Sequence, residues 1–65
     1  MRIFVNGDQH ELEPQTLAFA LRALGYGGKK IATAVNGRFV AALARDKMKL
    51  ADGDRIEIVA PMQGG

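Results

Sequence analysis

Few residues in this chain have the types and spacing that chemistry needs. They are one histidine, His10; the carboxylates Asp52 and Asp54 around Gly53; a glycine–lysine stretch, GYGGKK; the cations between Arg45 and Lys49; and a final Gly64-Gly65. His10 has no serine, cysteine or ligand cluster near it in sequence, so it is read as an exposed structural side chain on a strand rather than as a base or a metal ligand. Two neighbouring carboxylates could do acid–base work, but Asp-Gly is a turn signature, and the pair is assigned to a turn. A phosphate-binding loop needs Gly-x4-Gly-Lys-Ser/Thr between a strand and a helix. In GYGGKK the glycines come after a helical pattern, which makes the stretch a plain loop. The cations from Arg45 to Lys49 are broken by Asp46 and lack interleaved aromatics. They read as a solvated crossover, with docking of an acidic partner as the alternative. No internal set converges on catalysis or on a metal, and no bound cofactor is expected.

Composition narrows the classes further. The chain has 65 residues and no cysteine, so disulfides, thiolate metal sites and cysteine nucleophiles are excluded. One domain is expected, near the lower size limit for folding without staples. Hydrophobic residues make up 48%, too many for a disordered chain. The net charge of +2 is no nucleic-acid footprint in itself. The start, MRIFVNGDQHE, turns polar at once and does not read as a signal peptide. The longest apolar run, Phe39 to Ala44, is far too short to span a bilayer. A reducing cytoplasm is the expected setting.

The elements that must position these residues can be read from period and punctuation. RIFVNGDQHELE alternates about Asn6-Gly7, a strong hairpin signal, and predicts strands at Arg2–Val5 and Gln9–Glu13 with Ile3, Val5 and Leu12 inward. Leu17, Ala20, Leu21 and Leu24 then fall on one helical stripe. Thr16 is placed to cap that helix and Gly25 to end it. A second hairpin turns on Asn36-Gly37, ALARDKMKL is a short helical turn or an irregular crossover, and ADGD is a tight turn. The last strand, RIEIVA, sets Ile56 and Ile58 inward and is stopped by Pro61. One helix must then cover one sheet of four to five strands, an α+β domain over residues 1–61 followed by a flexible tail at 62–65. The first and last strands, short and apolar, are expected to pair at the sheet centre.

Two features go beyond this scaffold. If Ile3, Val5, Ile56 and Ile58 face the helix, alternation turns Phe4 and Val59 the other way. Phe39, opposite Ala34, joins them. Phe4, Phe39, Ala32, Ala34 and Val59 would form an apolar patch on the open face, the mark of a binding surface. The tail Met62, Gln63, Gly64, Gly65 is the second feature. A Gly-Gly end has no Cβ and can thread a narrow channel as extended backbone. From Pro61 to Gly65 it would reach roughly 16 Å. Its carboxylate is ionised at neutral pH and open to attack, so it suits a substrate delivered into another enzyme's site.

Taken in order, MRIFVNG, TLAFALRALG, AVNGRFVA, LADGDRIEIVAP and the final GG resemble the ubiquitin-like β-grasp sulfur carriers, and most of all those serving thiamin biosynthesis. The resemblance covers nearly the whole chain. It implies a β-grasp fold with a mixed sheet and one main helix. It also implies a carrier with no active site of its own, acted on as a co-substrate. An E1-like adenylyltransferase would use ATP and magnesium to adenylate the Gly65 carboxylate. A sulfur donor such as a cysteine desulfurase would convert the adenylate to a thiocarboxylate, and thiazole synthase would take the sulfur. Nucleic acid and membranes are not expected partners. The chain departs from the family in having Ala41-Ala42 where many relatives have Pro-Arg, Phe19 where an acidic residue is common, and Gln63 where a third glycine is frequent. A carrier for another pathway, of the molybdopterin type, or a ubiquitin-like modifier or interaction module are the alternatives, since the same tail serves each chemistry.

Overall fold

Both Asn-Gly pairs fold as the sequence requires. Asn6 and Gly7 lie at φ 50° and 89°, and Asn36 and Gly37 at φ 52° and 85°. These left-handed pairs match the twist of a two-residue hairpin, and asparagine and glycine tolerate them best. In the computed structural model, which describes residues 1–60, they join β1 (Arg2–Val5) to β2 (Asp8–Glu11) and β3 (Ala32–Val35) to β4 (Arg38–Val40). The expected tail, Met62 to Gly65, lies outside the described residues.

The second strand is corrected from Gln9–Glu13 to Asp8–Glu11. A two-residue turn pairs Val5 with Asp8, so β2 must start directly after Gly7. It ends where Arg2 pairs with Glu11 and β1 runs out. Leu12 lies just past β2 and packs, partly buried, against the core.

The last strand, β5 (Arg55–Val59), lies at the centre of a five-stranded sheet of order β2-β1-β5-β3-β4. It runs parallel to β1 and antiparallel to β3, so the sheet is mixed. Parallel strands need a crossover, and the chain between β1 and β5 supplies it through α1 (Leu17–Ala23), the second hairpin and a 3-10 turn at Ala42–Ala44. Thr16 caps α1 by accepting a bond from the Phe19 N–H at 3.2 Å. The next free N–H groups of the helix, on Leu17 and Ala18, donate to the carbonyls of Met48 at 2.8 Å and Arg45 at 3.0 Å. The start of the helix is thus bolted to the crossover, and its orphan donors are satisfied. Gly25, at φ 91°, ends it.

Leu17, Ala20 and Leu21 of α1 bury themselves on Ile3, Val5, Val35, Ile56 and Ile58 of the sheet. Leu24, at the helix end, is only partly buried. Val40 and Leu50 complete the core. The one buried polar residue among those described, Thr33, donates to the Val40 carbonyl at 2.9 Å. No helix among the described residues is long and apolar enough to cross a membrane.

Candidate functional site

The helix covers one face of the sheet and leaves the other open, and strand alternation decides what the open face carries. Cross-strand partners share a face. One row therefore runs Gln9, Phe4, Arg55, and a second runs Phe39, Ala34, Glu57. Ala32 stands beside Val59 in a third. Phe4, Phe39, Ala32, Ala34 and Val59 all lie on the open side, with Phe39 at 72% and Val59 at 65% exposure. The patch is not continuous, which corrects the expectation. Arg55 and Glu57 alternate with Ile56 and Ile58 in β5, so their charged side chains stand between Phe4 and the Phe39–Ala34 pair. The face is apolar at its flanks and charged along its central strand.

Beside that strand lies an open groove of about 710 Å³, lined by Phe4, Asn6, Asn36, Arg55 and Glu57. Both turn asparagines reach into it to hold β5. The Asn6 Oδ1 accepts from the Ile58 N–H at 2.8 Å, and its Nδ2 donates to the Ile58 carbonyl at 3.1 Å. β1 has already turned away at this point, so one side-chain amide does the work of the missing strand residue. Asn36 acts at the other end of β5. It accepts from the Arg55 N–H at 3.0 Å and donates to Asp54 Oδ1 at 2.9 Å. Sequence reasoning gave these asparagines a turn role only. The parity of the strands and the turn length set where the amides point, but their partners come from the β1–β5 pairing for Asn6 and the β3–β5 pairing for Asn36, neither of which is local.

The two acidic candidates are occupied by the turn before β5. Asp52 Oδ1 accepts from the Arg2 N–H at 2.7 Å, and Asp54 Oδ2 from the Ala51 N–H at 2.8 Å. Gly53, at φ 88°, supplies the left-handed residue the turn needs. His10 was expected to be exposed; it is half-buried and lies on the helix side, because it pairs with core-facing Ile3. No group of histidine and carboxylate side chains suited to a metal occurs among the described residues.

Arg45 also departs from the solvated reading of the crossover. Its Nε donates to Thr33 Oγ1 at 3.0 Å and its Nη2 to the Ile31 carbonyl at 2.6 Å. It is a half-buried tie between crossover and sheet, whereas Lys47 and Lys49 are exposed. At the opposite edge the Met1 ammonium group is hydrogen-bonded to the Glu13 carboxylate, with Glu11 at 3.9 Å. The bond to Glu13 raises the pKa of the amine above its ordinary value; desolvation opposes it, and the charges of Glu13, Glu11 and Asp52 add to the rise.

A five-stranded mixed sheet with a central parallel pair, one helix across one face and a final strand at the middle defines a β-grasp domain of the ubiquitin-like kind. The crystal structure of the thiamine biosynthesis protein ThiS from Geobacter metallireducens superposes with a TM-score of 0.77, covers all of both chains and is 28% identical. The sulfur carrier protein ThiS of Thermus thermophilus is 36% identical over 63 residues, 97% of this chain and 98% of that one. The ThiS family model matches residues 3–65, and the chain belongs to the ThiS family.

Proposed function

We propose that this protein is a sulfur carrier of thiamin biosynthesis that works through the carboxylate of Gly65. One observation carries the reading: the chain matches its family through to Gly65, and a curated relative over nearly its whole length is named a sulfur carrier protein. The state of the internal candidates supports it. Asp52 is held by the Arg2 N–H, Asp54 by the Ala51 N–H and the Asn36 amide, and His10 pairs with Ile3 on the helix side.

The chemistry follows from the tail. A carboxylate is a poor electrophile, so an oxygen of Gly65 must first attack the α-phosphorus of ATP in an E1-like adenylyltransferase that uses magnesium. Pyrophosphate leaves, and the acyl-adenylate carries AMP as a good leaving group. The outer sulfur of a persulfide, supplied by a donor such as a cysteine desulfurase, displaces AMP to give an acyl disulfide; a thiol then reduces its S–S bond and leaves the thiocarboxylate, which thiazole synthase consumes. Gly64, lacking a Cβ, fits a narrow channel, with Met62 and Gln63 as the approach. The open face is the docking surface for the adenylyltransferase. Phe4, Phe39, Ala32, Ala34 and Val59 supply its apolar contacts, and Arg55 and Glu57 its charged ones.

Deletion of Gly65 tests the reading. The carboxylate would stop about 3.3–3.6 Å short, and a misplacement of even about 1 Å can cost about a hundredfold in rate. The shortened protein is expected to fold normally and to lose carrier-dependent pyrophosphate exchange. Adenylation at the normal rate would overturn the proposal.

A further inference from the structure

Charge is segregated along this chain. Residues 14–50 hold seven of its nine lysines and arginines but one of its seven acidic residues, Asp46. The fold turns that bias into a spatial one. The acidic stretches form β2, β1, β5 and the turn before β5; the basic stretch forms α1, β3, β4 and the crossover. Only the Met1 ammonium forms an ion pair within 4.0 Å among the described residues, so none of the cations there is neutralised by a neighbouring carboxylate.

Three of those cations meet at one place. A crevice of about 230 Å³ opens on the helix layer, between the second half of α1 and the start of the crossover. Arg22, Lys29 and Arg45 line it with Tyr26, Gly28 and Asp46. Ala18 and Leu21 give it an apolar floor. Arg45 is fixed by its bonds to Thr33 and Ile31. Arg22 runs past Gly27, where an added Cβ would stand 3.2 Å from its Cγ, so the missing side chain leaves room for the arginine stem. Two arginines and a lysine over an apolar floor suit carboxylates, which guanidinium groups bind through paired hydrogen bonds. The volume lies below the range of about 300–1,000 Å³ usual for small-molecule pockets. It fits one or two acidic side chains and is tight for a nucleotide; Asp46, which also lines it, offsets one of the three positive charges.

We propose that this crevice is a second interaction surface, which takes a glutamate- or aspartate-bearing segment of a partner protein. It lies on the helix layer, away from the open sheet face, so both surfaces can be engaged together. The proposal does not depend on the fate of Gly65.

A fluorophore-labelled hexaglutamate peptide is the probe, titrated against the whole chain at low salt with backbone amide shifts recorded. Shifts are expected at Gly27, Gly28 and Lys29, with affinity falling as salt rises. Arg22→Glu with Lys29→Glu is expected to weaken binding about tenfold or more, and Lys47→Glu with Lys49→Glu, the same charge change outside the crevice, less than about threefold. Thermal melting confirms that each variant folds. Arg22→Gln with Lys29→Gln, expected to cost about threefold or more, replaces the reversed pair if that does not. Equal losses from the two reversed pairs would show diffuse attraction and overturn the proposal. Shifts centred elsewhere would overturn it too, as would tighter binding of an oligothymidylate of equal charge in the same crevice.

Discussion

Removing the Asn6 side chain while leaving its backbone free to turn tests how the central strand is held. Asn6→Gly does this, since glycine adopts φ 50° without strain. Two hydrogen bonds to Ile58, at 2.8 and 3.1 Å, disappear. Each such bond contributes about 0.5–1.5 kcal/mol net, and the Ile58 N–H and carbonyl they satisfied are part-buried. The expected cost is therefore about 1–3 kcal/mol, to which the added chain entropy of glycine contributes up to about 1 kcal/mol more. For a domain of this size each kcal/mol lowers Tm by about 4–8 °C. The assay is urea unfolding together with amide exchange. The Ile58 amide should exchange faster in the variant by more than the global loss of stability explains, while Ala34 and Glu57, opposite each other in the β3–β5 pair, should follow the global change. A stability loss below about 0.5 kcal/mol with an unchanged Ile58 exchange rate would refute the clamp, and with it the idea that a turn side chain completes the β1–β5 ladder.

Arg45→Ala is expected to cost about 1.5–3 kcal/mol, since it removes charge-assisted bonds to Thr33 and Ile31, whereas Lys47→Ala should stay within about 0.5 kcal/mol; equal effects in denaturant unfolding would return Arg45 to the solvent. Phe39→Asp, at a side chain 72% exposed, should leave unfolding nearly unchanged and weaken binding to the adenylyltransferase in calorimetry. Unchanged affinity would remove Phe39 from the docking surface.

The hairpins, the helix and the inward faces of β1 and β5 were legible because they rest on local signals: two Asn-Gly turns, a helical stripe at Leu17, Ala20 and Leu21, and alternation in RIFV and RIEIV. β2 was harder. Its residues, DQHE, are all polar, so alternation says nothing about its faces, and only counting back through the two-residue turn places His10 opposite Ile3. The same counting along RIEIV would have put Arg55 and Glu57 among the open-face residues. The roles of Asn6 and Arg45 could not be read this way. Each depends on partners far along the chain, 52 residues away for Asn6 and 12–14 for Arg45, which become neighbours only once the crossover has brought β5 between β1 and β3.

The central claim is that Gly65 carries sulfur as a thiocarboxylate. Intact mass measured after incubation with the adenylyltransferase, ATP, magnesium, a cysteine desulfurase with cysteine as its sulfur source, and a thiol reductant tests it most directly. Exchange of one oxygen for one sulfur, located by fragmentation at Gly65 and absent when ATP is withheld, is the predicted result. An unchanged mass under conditions where a ThiS relative is converted, or sulfur found on any other residue, would contradict it.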